Sequence, residues 1–209
     1  MCKNKRLIQQ EGFSLVELMV AIVIMVLLMA AVAPSMTESV ANVRLRGTAE
    51  IALTGLQRAR AEAIKRNQIV TFWLMSPATA SKLDNTCTLS ASSPSWVISL
   101  VDPSGACATE PSATVAPRII EAHGAGKAAL GATVSALNST NASATQVRFN
   151  GFGQRIIASP DPDIRTIDFT STTTGTRRLR IEVSTGGNAR LCDRDTPVLV
   201  PPDPKACLL

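Results

Sequence analysis

The chain has 209 residues, a formal net charge of +5 at pH 7, one histidine and no tyrosine. This length provides for one globular domain of ordinary size in addition to a separate helical segment. With a single histidine we can build no Ser-His-Asp or Cys-His arrangement, so we expect neither catalysis nor a cofactor. The small positive charge does not by itself indicate a nucleic-acid binder.

The first predicted element is an apolar helix that contains one acidic residue. Residues 13–33 are long enough to cross the apolar core of a bilayer as a helix, and the basic leader before them predicts a cytoplasmic N-terminus. Glu17 lies inside this run, where a carboxylate costs about 2.5–3.5 kcal/mol near the bilayer centre. Glu17 therefore needs a partner or a position near the interface, and it is a candidate functional residue.

Gly12, Phe13 and Glu17, at the junction of a polar leader and an apolar helix, resemble the class III signal of type IV pilins and type II secretion pseudopilins. The resemblance implies that a prepilin peptidase removes residues 1–12 by cutting after Gly12, and that Phe13 becomes a methylated N-terminus. It also implies that Glu17 meets the terminal amine of a neighbouring subunit, which would neutralise the carboxylate. Residues 13–34 are then a transmembrane and assembly segment.

Two other interpretations of the N-terminus compete with this one. An ordinary secretory signal would be cleaved after the Ala-Val-Ala at residues 31–33, but Pro34 would then be the first mature residue and Glu17 would interrupt the apolar region. A plain transmembrane anchor explains neither Gly12 nor Glu17.

Helical periodicity resumes directly after Pro34, which is expected to kink the helix rather than end it. The helix is predicted to run to about residue 66 and to belong, with the rest of residues 35–209, to a periplasmic or extracellular domain. Apolar residues at spacings of three and four predict one buried stripe. Its predicted members are Met36, Val40, Val43, Ala52, Leu56, Ala59, Ala63 and Ile64.

Short runs rich in β-branched and aromatic residues predict strands after the helix. The predicted strands cover residues 69–74, 96–101, 118–122, 146–150, 166–170, 177–184 and 189–192. Residues 77–94 and 124–144 are rich in small and polar residues and are predicted as loops. A helix followed by strands predicts an α+β domain in which an antiparallel sheet packs on the helix, and this is also the type IV pilin-like fold that the resemblance implies.

Four cysteines, Cys87, Cys107, Cys192 and Cys207, lie in the part of the chain that is predicted to be exported. An even number in that location favours two disulfides. Of the three possible pairings we favour the local ones, Cys87 with Cys107 and Cys192 with Cys207, because each closes a short loop. Zinc is the alternative, but no C-x-x-C pair supports a metal site.

Two further motifs are weak. His123 precedes the residues Gly-Ala-Gly-Lys, but the spacing of a phosphate-binding loop is incomplete, and we predict a loop residue. Asp161, Asp163 and Asp168 could be interpreted as a calcium site, yet the neighbouring prolines and the lack of an EF-hand pattern favour a polar turn.

The last predicted hairpin is rich in basic side chains, namely Arg177, Arg178, Arg180, Arg190 and Arg194. Because alternate residues of a strand point to opposite faces, these arginines form at most half of a patch until the fold is known. Two interpretations stay open: charge that protects an edge strand, and a binding surface.

Residues 56–66 and the terminal Gly187-Asn188-Ala189-Arg190 are similar to the FimT/FimU and GspH group of minor pilins and pseudopilins. In FimT-like members a C-terminal G-R-x-R motif is associated with DNA binding during natural transformation. Asn188 replaces the first arginine of that motif, so only Arg190 carries over directly. Binding of double-stranded DNA is therefore expected to be weak, salt-sensitive and independent of sequence.

These observations predict a minor pilin that enters a type IV pilus and primes or caps its assembly. The alternative is a GspH-like minor pseudopilin of the type II secretion system. The implied partners are other pilins or pseudopilins, the prepilin peptidase, the inner-membrane assembly platform and, through the arginine-rich hairpin, DNA. The chain is expected in the bacterial inner membrane with a cytoplasmic N-terminus, and afterwards in the pilus fibre or the periplasm.

Overall fold

A computed structural model describes residues 14–76, 83–126, 129, 131–199 and 203–208, with the backbone alone at 30–35. Gly12 and Phe13 lie outside the described residues. The chain divides into two compact units, Met1–Thr37 and Glu38–Leu209. Among the described residues, no helix is long and apolar enough to be assigned as a membrane span.

Helix α1, Leu15–Arg66, continues through Pro34, as predicted. In the second unit one face of this helix is buried, through Leu45, Ala49, Ala52, Leu56, Ala59 and Ala63. Spacings of four and three keep these residues on one face. The predicted stripe is wrong at four positions, which lie outside the buried face of the helix and are 47–73% exposed. They are Met36, Val40, Val43 and Ile64.

Strands follow the helix in the order β1 Val70–Ser76, β2 Thr88–Leu89, β3 Ser95–Ser99, β4 Ile119–His123, β5 Ala132–Leu137, β6 Gln146–Phe149, β7 Thr166–Ser171, β8 Leu179–Val183 and β9 Ala189–Asp193. The first sheet has the order β2-β1-β3-β4, and β6 also pairs with β1. The second sheet has the order β5-β7-β8-β9, and all strand pairs in both sheets are antiparallel. The predicted α+β class is confirmed.

Two strands lie in segments that were predicted as loops. β2 has only two residues, which pair with Met75 and Ser76 at the end of β1. β5 is built largely from alanine, serine and threonine, and it pairs with β7 along its whole length. Its pairing is with a distant segment, so local composition did not reveal it. His123 is also not a loop residue, because it ends β4 and stacks on Trp96 with ring centroids 5.4 Å apart.

One hydrophobic core joins the helix to both sheets. The helix contributes residues such as Leu56, the first sheet Phe72 and Trp96, and the second sheet Ile167 and Ile181, all buried. A smaller cluster on other residues of β1 and β3 includes Trp73, Val97 and the disulfide between Cys87 and Cys107. β1 and β3 are therefore buried on both faces, which explains their nearly continuous apolar sequences.

Both disulfides join the cysteines that are nearer in sequence. Cys87 and Cys107 have Cα atoms 6.2 Å apart, and Cys192 and Cys207 have Cα atoms 5.2 Å apart. The second bond holds the C-terminal segment beside the edge strand β9, where the backbone N–H of Asp193 donates to the carbonyl of Lys205 at 2.7 Å. The segment thus pairs with part of an edge that could otherwise add another strand.

Two glycines inside α1 provide a test of how tightly the helix packs. A Cβ atom at Gly55 would lie 2.8 Å from the Trp96 ring and 2.9 Å from the Phe72 ring, whereas one at Gly47 would meet nothing within 4 Å. We expect Gly55→Ala to lower the free energy of unfolding by about 1–3 kcal/mol through overpacking. Gly47→Ala should raise it by about 0.5–1 kcal/mol, because alanine is the better helix former.

Chemical denaturation of the detergent-solubilised protein, followed by tryptophan fluorescence, measures both effects. Gly47→Ala is the matched control because both positions lie inside the same helix. Equal stability of the two variants would contradict the close packing at Gly55.

Candidate functional site

The N-terminal part of α1 has apolar side chains on every face. All large apolar side chains from Leu15 to Met29 are between 53% and 74% exposed. A helix that is apolar all round requires an apolar environment, since no single face can be directed to solvent. Glu17 is the acidic residue of the first turn and is exposed, in a position where a negative charge also interacts favourably with the helix N-terminus.

The arginines of the predicted hairpin are each paired with an acidic side chain. Arg180 and Asp168 are cross-strand neighbours on β8 and β7, and two hydrogen bonds join them, at 2.6 Å and 2.9 Å. Arg194 adds a third bond to the same carboxylate at 3.1 Å. The hydrogen bond that Arg180 donates to the Asp168 carboxylate raises the pKa of Arg180. Asp168, whose side chain is only 10% exposed, thus binds two guanidinium groups.

Arg190 and Glu182 form a second cross-strand pair, between β9 and β8. The guanidinium of Arg190 donates to one oxygen of Glu182 at 2.7 Å and 2.9 Å, and to the carbonyl of Ala206 at 3.1 Å. The other oxygen of Glu182 accepts the backbone N–H of Leu208 at 2.8 Å. The Glu182 side chain is only 3% exposed, so water competes little for these bonds. The bonds to Ala206 and Leu208 hold the C-terminal segment to the sheet.

The two remaining arginines are the most exposed of the five. Arg178 is bound to Asp195 through its backbone N–H at 2.8 Å and its side chain at 2.6 Å, and these bonds lower the pKa of Asp195. Arg177 lies 3.7 Å from Asp193. Their side chains are 55% and 72% exposed, and exposed ion pairs of this kind contribute little to stability. The hairpin therefore carries compensated charge, and its most exposed guanidinium groups lie at its start.

The turn between β8 and β9 is held against the helix. Gly187 has a φ of +79°, and a Cβ atom there would overlap the carbonyl of Gly153. Arg60 on the helix donates to that same carbonyl at 2.9 Å and to the Asn188 side chain at 2.5 Å. Glycine is thus required by both the backbone conformation and the close approach. Asn188, which replaces an arginine of the G-R-x-R motif, therefore accepts a hydrogen bond from Arg60.

The acidic residues considered as a calcium site are also bound to arginines. Arg148 donates to both oxygens of Asp163 at 3.0 Å, and Arg155 donates to Asp161 at 2.8 Å. Burial raises the pKa of Asp163 against the hydrogen bond from Arg148. These ion pairs fix the segment that leads into β7, which is a structural role.

One carboxylate and two sulfurs come together at the C-terminal segment. Single atoms of Glu182, Cys192 and Cys207 lie within 4.8 Å of one another. Both sulfurs are joined in a disulfide, which leaves no thiolate to bind a metal, and Glu182 already accepts the bonds described above. In the described residues Glu182 and the Cys192–Cys207 disulfide therefore hold the C-terminal segment against the sheet.

Sequence reasoning missed two residues of this region, Asp168 as a partner of the arginines and Arg60 as the contact of the terminal turn. The register of the β8–β9 hairpin places Glu182 opposite Arg190 and could have been derived from the turn. The register of β7, which contributes Asp168, comes from a separate part of the chain and leaves no local signal.

Two family models match the sequence. The prokaryotic N-terminal methylation motif matches residues 8–33, and the type II transport protein GspH matches residues 48–187. No protein with curated annotation matches.

Two solved structures of the type IV minor pilin FimU from Pseudomonas aeruginosa strain PAO1 are similar to the chain. The structure in space group P21 is 19% identical over 70% of this chain and 87% of that chain, with a TM-score of 0.43. The structure in space group P65 is 14% identical over 70% and 90%, with a TM-score of 0.40. Because the GspH model covers more than half of the sequence, the chain belongs to the GspH family of pilin-like minor pilins and pseudopilins.

Proposed function

We propose that this protein is a minor subunit of a type IV pilus that primes or caps assembly of the fibre. The observation that carries the proposal is the helix from Leu15 to Met29, whose apolar side chains are exposed on all faces beside a single carboxylate, Glu17. The match to an N-terminal methylation motif covers the same segment. Such a helix is suited to pack among the helices of other subunits, where neighbouring apolar side chains cover it.

In this proposal a prepilin peptidase first removes residues 1–12, and Phe13 is then methylated. The new ammonium group of a subunit pairs with Glu17 of a neighbour, which offsets the cost of burying that carboxylate. Before assembly, the apolar segment holds the chain in the inner membrane beside the assembly platform. The protein acts through contacts with other pilins, not through catalysis.

A minor pseudopilin of the type II secretion system is the alternative. It is favoured by the GspH family match, which covers most of the second unit. The two machines differ in what deletion of the gene removes. Loss of surface pili with normal protein secretion supports the pilus, and the reverse result supports type II secretion.

The first prediction from this segment concerns the mature N-terminus. Mass spectrometry of the protein purified from its host should find a chain that starts at a methylated Phe13. A mature chain that starts at Pro34 or Ser35 would instead indicate simple secretion and would contradict the proposal.

The role of Glu17 is the second prediction from this segment. Glu17→Ala should leave leader cleavage intact but decrease the amount of the protein in sheared fibres by more than about tenfold, because breaking a desolvated ion pair costs about 3–5 kcal/mol. Glu50→Ala is the matched control, since Glu50 is an exposed carboxylate of the same helix and pairs with Arg46. Normal amounts of the Glu17 variant in sheared fibres, measured by immunoblot, would refute the ion pair.

DNA binding is the second candidate function, and the exposed side chains of Arg177 and Arg178 are the observation that favours it. Phosphate contacts need positive charge more than a fixed geometry. Asp168 and Glu182 occupy Arg180, Arg190 and Arg194, so we assign any DNA contact to the exposed pair.

Duplex binding by the full-length protein in detergent micelles tests this assignment. Arg177→Ala with Arg178→Ala should weaken binding and decrease the slope of log K against log salt concentration by about 2, one for each lost phosphate contact. Lys65→Ala is the control, because its side chain is 76% exposed and its ion pair is with Glu62 of the same helix. An unchanged slope in the double variant would remove DNA binding from the hairpin.

A further inference from the structure

An open groove of about 600 Å³ lies beside the second unit's helix, between residues 39–46 and the β8–β9 hairpin. Its apolar lining includes Val43, which is 73% exposed, together with the half-buried Leu179 and Leu191. Only two residues further along the helix, Leu45 is buried at 2% exposure. The groove therefore begins where the tight packing of helix and sheet ends.

The groove has a defined shape because polar contacts fix its walls. Asn42 on the helix accepts the backbone N–H of Arg177 at 2.9 Å, which joins the helix directly to the start of β8. The disulfide of Cys192 fixes the C-terminal segment, which contributes Lys205 to the lining. A preformed groove of this kind lowers the entropic cost of binding.

Basic side chains outnumber acidic ones around the groove. Arg46, Arg177 and Lys205 line it together with one acidic residue, Asp193. Arg46 and Arg177 are 70% and 72% exposed at their side chains, and each has an acidic neighbour, Glu50 at 2.7 Å and Asp193 at 3.7 Å. Lys205 is exposed and adds a further positive charge to the rim. An apolar centre with a rim of exposed polar groups is the usual arrangement of a protein docking site.

We propose that this groove binds an acidic, partly apolar segment of a different filament subunit. This inference rests on the proposed function, since it names the partner of a filament subunit. A volume of about 600 Å³ is suited to a few side chains of a peptide. The charge of the lining selects acidic residues, and Val43, Leu179 and Leu191 provide contacts that a DNA backbone would not use.

Photo-crosslinking in cells that assemble filaments tests the proposal. The photoreactive amino acid p-benzoylphenylalanine replaces Val43 in the otherwise native full-length chain, and mass spectrometry identifies the adducts. Val115 is the matched control position, because it is 61% exposed and does not line the groove. The expected adduct at position 43, and not at position 115, is a peptide from another filament subunit in which Asp or Glu neighbours apolar residues.

The role of the basic rim is tested in the chain that carries p-benzoylphenylalanine at position 43. Lys205→Glu should decrease the adduct at position 43 about tenfold, since like charges across an interface repel. Lys65→Glu, which changes an exposed lysine outside the groove, should leave the adduct unchanged. If the substitution at position 43 prevents assembly, the photoreactive residue is placed at Arg46, which lines the same groove and is 70% exposed.

Several outcomes would overturn the proposal. One is an adduct yield at position 43 that does not exceed the yield at position 115. Others are an adduct with a phospholipid, an adduct with a second copy of this chain or within one copy, and a partner peptide without acidic residues. The content of the protein in sheared fibres separates this inference from the proposed function. Absence from the fibres refutes the function itself, whereas presence in the fibres without the expected adduct refutes only the groove.

Discussion

The close contact between Gly55 and the aromatic rings of Phe72 and Trp96 determines how the second unit is built. A helix without a side chain at this position can approach the first sheet closely enough for the two rings to pack against its backbone. Small residues such as Ala52 and Ala59 continue the same buried face. Both sheets share the resulting core, so the height of the helix above the sheets sets the positions of the other elements.

The contacts of Arg60 follow from this arrangement. Arg60 is half-buried on the helix beyond Gly55, from where it reaches both the carbonyl of Gly153 and the side chain of Asn188. The terminal hairpin is therefore held at three places: at its turn by the helix, along β8 by β7, and at β9 by the C-terminal segment. A hairpin restrained in this way is a rigid support for one wall of the groove.

Local sequence predicted the parts of the fold whose signals are local. The helix, most strands and the pairing of near cysteines followed from periodicity, β-branched runs and spacing. β5 was missed because its alanines and serines gain their strand conformation from β7, a distant partner. The partners of the arginines could not be predicted for the same reason. Their charge could be counted in the sequence, but the carboxylate of Asp168 is brought to them by a pairing between separate parts of the chain.

The altered G-R-x-R motif also has a physical explanation in this chain. Gly187 is required by its positive φ and by the carbonyl of Gly153, and Arg190 is bound to the buried Glu182. Asn188, which follows Gly187, accepts a hydrogen bond from Arg60, and an arginine there has no acceptor atom in its side chain to make that bond. The two motif residues that remain have structural partners here, and their presence alone is not evidence for a DNA site.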